Sequence, residues 1–153
     1  MQIIRIYVVF LSLIIAPFSW AGSDVQTGAI QVITNAQAEL SSLSRKQVMS
    51  LFLGRSRNFS NGQIAKAYDH QVDSDIRKRF FEELTGKAIS DIDAYWARLR
   101  YSGRASPPKE LDDVDAVLKE VMSNKHSIAY VTEQDPEALA KKGIVVVYTL
   151  GKH

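Results

Sequence analysis

Short β-branched runs separated by stretches of helical period constrain this chain most. Ala29 to Thr34 (AIQVIT), Ser127 to Thr132 (SIAYVT) and Ile144 to Thr149 (IVVVYT) read as strands. Ile64 to Tyr68 reads as a further short strand. Between them lie segments whose apolar residues recur every three to four positions. Val114, Val117, Leu118, Val121 and Met122 mark the clearest helix. Ser44 with Gln47 has the form of a capping box, Val48, Leu51 and Phe52 supply that helix's apolar face, and Gly54 stops it. Ser90 to Asp93 looks like another helix start, with Ile92, Tyr95, Trp96 and Leu99 as its face, so both aromatics are expected in the core. Gly103, Pro107 and Pro108 place Tyr101 to Lys109 in a loop. Asp135 to Lys142 reads as a loop or one helical turn.

The expected order is β-α-β-α-α-α-β-β, an α/β layered domain with a mixed sheet. The short polar link between the last two strands predicts an antiparallel hairpin. The unbroken apolar character of Ile144 to Thr149 predicts a central or well-covered strand.

The first 21 residues are expected to stand outside this fold. Arg5, an apolar run from Ile6 to Ile15, Pro17 and then Ser19-Trp20-Ala21 have the layout of a cleavable secretory signal. The run is shorter than the roughly 20 residues that span a bilayer. Cleavage would leave 22–153 as one domain, large enough to bury a core unaided, with Trp96 as its only tryptophan. The chain contains no cysteine, which excludes disulfides, thiolate catalysis and cysteine-ligated zinc. With a signal and no second apolar span, a periplasmic location is expected. The net charge of +2 gives no case for nucleic-acid binding. No HExxH, GxSxG, P-loop or Asp-rich calcium loop is present, so neither a metal, a cofactor nor an enzymatic activity is expected.

The stretch from Asp69 to Leu84 concentrates the possible chemistry. Ile76, Phe80 and Leu84 share a helical face, and Ser74 precedes them as an N-cap. Arg77, Lys78 and Arg79 follow at a helix start that already carries positive dipole charge. Such a start suits an anion. The structural alternative is a solvated helix, with Lys78–Glu82 and Arg79–Glu83 as exposed pairs and Asp73 holding Arg77.

Several segments taken in order resemble the phosphate-binding proteins of ABC transporters. They are Val32-Ile33-Thr34-Asn35, the helix ending Leu51-Phe52-Leu53-Gly54, Tyr95-Trp96, Ser102-Gly103 with Pro107-Pro108, and Ile128-Ala129-Tyr130-Val131. The resemblance implies one lobe of a type II periplasmic-binding-protein-like fold, with four to five strands flanked by helices, and a phosphate or related oxyanion as ligand. It places Ser74 and Phe80 on the family's anion-site serine and later phenylalanine, and His70 near its arginine. Asp75 stands for its glycine and Ile76 for its threonine, and Arg77 is left to supply the charge. Aspartate repels an anion and isoleucine offers no hydroxyl. A single lobe would form half a cleft, so a protein partner or a second copy is expected to complete it. The alternative is a ligand-free envelope interaction module.

Overall fold

The computed structural model describes residues 28–151. The proposed signal segment, 1–21, lies outside the described residues. Five strands form one mixed sheet: β1 (Ile30–Asn35), β2 (Lys66–His70), β3 (Lys109–Leu111), β4 (Ser127–Thr132) and β5 (Ile144–Leu150), in the order β3-β2-β4-β1-β5. β2 pairs in parallel with β3 and β4, whereas β1 is antiparallel to both β4 and β5. Four strands therefore run one way and β1 runs against them. The helices are α1 (Arg45–Phe52), α2 (Asp75–Thr85), α3 (Ile89–Tyr101), α4 (Val114–Ser123) and the short α5 (Pro136–Lys141).

Every residue of β1 and β4 is buried, as expected of strands with neighbours on both sides and helices on both faces. One face holds α1, α2 and α3 over Ile30, Val32, Ile128 and Tyr130. The other holds α4 and α5 over Ile33, Ala129, Val131 and Ile144. The side chain of Tyr130 stacks on Phe80 at 3.7 Å between ring centres, with Phe52 edge-on to both.

Local signals act as the sequence predicts in several places. Ser44 and Gln47 form the reciprocal capping box of α1. Gly54 follows that helix at φ +66° and Gly86 closes α2 at φ +70°. Tyr95 donates from its hydroxyl to the Leu53 carbonyl at 2.7 Å, and Trp96 is buried, so both aromatics serve the core.

Two expectations about the sheet fail, and a third, for β5, is met only in part. β4 and β5 do not form a hairpin, because β1 lies between them and pairs with each. They point the same way, and parallel strands need a crossover, which α5 supplies. β5 is an edge strand, not a central one. It is well covered all the same, since every residue from Ile144 to Leu150 is buried or half-buried, and the Leu43 amide closes on the outer edge by donating to the Val147 carbonyl at 2.8 Å. The segment read wholly as loop ends in β3, three residues whose strand character comes from pairing with β2.

Candidate functional site

The end of β2 and the start of α2 face the site that the sequence singles out. β2 becomes more buried along its length, so Tyr68, Asp69 and His70 all leave solvent. An ionised carboxylate buried this deeply must find partners. Asp69 accepts hydrogen bonds from the Tyr130 hydroxyl, from the His70 amide at 2.8 Å and from Arg77 Nε at 3.1 Å.

Arg77 is placed there by helical phase. Arg77, Phe81 and Leu84 recur at i, i+4 and i+7, and the helix turns that stripe inward. Arg77 is 4% exposed. Besides Asp69 it donates through Nη2 to Asp93 at 2.7 Å and through Nη1 to the Val72 carbonyl at 3.3 Å, and it lies over the Phe81 ring. Burial works to lower the Arg77 pKa, but the bonds to Asp93 and Asp69 outweigh it, and the net shift is upward. Burial pushes the Asp69 carboxyl above the usual carboxylate value, against the bonds from Tyr130, Arg77 and the His70 amide. Burial and the neighbouring Asp69 charge raise the Tyr130 hydroxyl well above its ordinary value. The result is a closed network in which a cation faces two anions.

The five residues expected around an anion therefore separate. Arg77 faces the interior and is held by Asp69 and Asp93, not by Asp73. His70 is also buried. Its Nε2–H donates to the Tyr130 carbonyl at 2.8 Å, and its ring packs 4.9 Å from that of Tyr130. Ser74 occupies the N-cap position of α2 but does not cap it, because its hydroxyl donates to the Gln71 carbonyl at 2.7 Å. No side chain caps this helix start. Asp75 is exposed in the first turn, where its charge suits the helix dipole and opposes an incoming anion, and Ile76 packs its side chain against the core. Arg79 and Glu83 do form the expected pair, at 3.5 Å.

Sequence reasoning missed Asp69, Tyr130 and Asp93 as members of this network. A charged residue at the end of an otherwise apolar strand, and an arginine in phase with Phe81 and Leu84, were the available signals. Among the described residues no group of histidine and acidic side chains is arranged to hold a metal.

No family model matches the chain. No curated protein matches it either. Solved structures do. A phosphate ABC transporter substrate-binding protein from Clostridium perfringens, solved with phosphate bound, aligns with a TM-score of 0.58 at 16% identity over 78% of this chain and 44% of its own. An ABC-type phosphate transport receptor from Vibrio cholerae gives 0.59 at 14% identity, over 78% and 45%. PstS from Borrelia burgdorferi gives 0.61 at 12%, over 78% and 46%. At such identities the likeness establishes the fold. This chain has the fold of one lobe of these phosphate-binding proteins and spans less than half their length.

Proposed function

We propose that this chain is a phosphate-receptor-like lobe that works through a second protein body and does not clamp an anion alone. The supporting observation is Arg77, the cation nearest the expected site, which is buried and already held by two carboxylates. An anion arriving at α2 would meet Asp75 first and would have to displace Asp93 to reach Arg77. Half a cleft would also bury far less of a ligand than the 70–90% typical of binding pockets. The solved neighbours are binding proteins, and we read this chain as a non-enzymatic binding protein as well. We place it in the periplasm, as residues 22–153 after signal cleavage. Among the described residues no helix is long and apolar enough to cross a membrane.

A second reading keeps phosphate or a related oxyanion as the ligand, in the service of ABC transport. The uncapped start of α2 favours it, since the leading backbone N–H groups of a helix are anion donors. Ser74, the Asp75, Ile76 and Arg77 amides and, after rearrangement, His70 would hold the anion, with a partner or second copy completing the cleft. One titration separates the two readings. Phosphate is added to residues 22–153, purified free of phosphate, while heat and Trp96 fluorescence are followed. The first reading expects no response at micromolar phosphate and a stable partner or homodimer by sedimentation and co-purification. Saturable micromolar binding, tightened by Asp75→Asn, would establish the second.

A further inference from the structure

The loop that leads from α1 into β2 forms a pocket against that helix. Buried Leu51 and Phe59 supply apolar lining, and Lys46, Gln47, Ser50 and Ser60 supply polar lining. The pocket encloses about 310 Å³ and opens to solvent, near the lower end of the roughly 300–1,000 Å³ of small-molecule sites. Hydrogen bonds hold its walls in place. The Ser44 and Gln47 box fastens the start of α1. The Ser50 carbonyl accepts from the Arg55 amide at 2.8 Å and the Ser56 amide at 3.0 Å, and the Phe59 amide donates to the Gln63 carbonyl at 2.8 Å. Asn61 Nδ2 ties the same loop to the Ala38 carbonyl, also at 2.8 Å. The site is formed before anything enters it, which lowers the ordering cost of binding.

Donors dominate its polar lining. Gln47 accepts from the Ser44 amide through Oε1, which leaves Nε2 unused. The Lys46 ammonium and the Ser50 and Ser60 hydroxyls have no hydrogen-bond or ion-pair partner among the described residues. An ammonium and an amide nitrogen can only donate, and hydroxyls donate readily to a charged oxygen. No carboxylate lines the pocket, and from Leu40 to Tyr68 the chain has five lysines and arginines and no aspartate or glutamate. We infer that this pocket binds a small organic oxyanion, a carboxylate or phosphomonoester carried on a short apolar body. Lys46, Gln47 Nε2 and the two hydroxyls receive the head group, and Leu51 and Phe59 receive the body. An inorganic ion would leave the apolar lining unused, and an uncharged body would leave the donors unused. Ser74, Arg77 and His70 take no part in this site, so it stands or falls apart from both readings of α2.

The test titrates phenyl phosphate and benzoate separately into the chain and follows the NMR shifts of the Ser50, Phe59 and Ser60 amides. At least one should saturate below about 1 mM, and the tighter of the two identifies the head group. Benzyl alcohol and benzylamine carry the ring without a negative charge and should bind about tenfold more weakly or worse. Lys46→Glu sets a carboxylate beside the head group and should weaken binding about tenfold or more. Ser50→Leu fills the pocket and should remove saturation. Circular dichroism checks that both variants fold, and exposed Lys46 keeps the test decisive if Ser50→Leu disturbs α1. Lys119→Glu, on α4 across the sheet, makes the same charge change and should weaken binding less than about twofold. No saturation by either anion up to about 10 mM would overturn the proposal. So would benzyl alcohol binding as tightly as the anions, equal losses in Lys46→Glu and Lys119→Glu, or inorganic phosphate moving the same amides as strongly as phenyl phosphate.

Discussion

The two ends of β2 treat charge in opposite ways. At the His70 end, Asp69 and Arg77 are buried and satisfy one another, with Tyr130 and Asp93 completing the set. At the Lys66 end, Arg57, Lys66 and Lys109 are exposed, Lys66 lies over the Tyr68 ring, and Glu120 attracts Lys66 and Lys109 from α4. Water tolerates a free surface cation at little cost, whereas an interior charge without a partner costs several kcal/mol. The residues best placed by sequence to bind an anion are therefore committed to the fold.

The largest expected effect tests the closed end. Arg77→Ala leaves Asp69 buried without its cation and should destabilise the protein by about 3–5 kcal/mol, read from urea unfolding. A loss below about 1 kcal/mol would show that the network is open to solvent. Tyr130→Phe keeps the stack on Phe80 but removes one bond to the Asp69 carboxylate, with an expected loss of about 1.5–3 kcal/mol. An unchanged unfolding midpoint would mean that Asp69 is held without it.

The Lys66 end should respond more weakly. Gly54→Ala places a Cβ at φ +66°, 2.9 Å from Trp96 Cη2. The left-handed backbone alone should cost about 1–2 kcal/mol. A shifted Trp96 emission should accompany it, and unchanged emission would show that the Trp96 ring does not depend on Gly54. The smallest effect concerns Glu120, whose pKa is lowered, chiefly by the bond from the Tyr68 hydroxyl. A depressed carboxylate pKa adds stability above its unfolded value and loses it as pH falls through the folded value. Tyr68→Phe should therefore trail the native chain at neutral pH, and the gap should narrow in acid. A gap independent of pH would assign the loss to packing alone.

Much of the fold was legible because its signals are local. The Ser44 and Gln47 cap, the spacing in α4 and the span of β4 all stand in the structure where the sequence places them. What failed was long-range. Three residues, Lys109 to Leu111, carry no strand signature and become β3 only against β2. The run in β5 reports burial but not position, since an edge strand covered on both faces can be as apolar as a central one. The site failed for a related reason. Ile76, Phe80 and Leu84 gave the right helix with its phase slightly off, which left Arg77 facing solvent on paper. Only the position of Asp69 on a neighbouring element shows why the arginine points inward.

The placement of β1 has a consequence in time. The first described strand is held between β4 and β5, both synthesised long after it, and Ile30 pairs with Thr132 on one side and Leu150 on the other. Until those residues arrive, β1 has neither of its neighbours, and its apolar side chains have no sheet to complete. A contact pattern this remote closes slowly. Synthesis would leave the sheet unassembled until β5 had emerged, a long interval in which a chaperone could act on the chain.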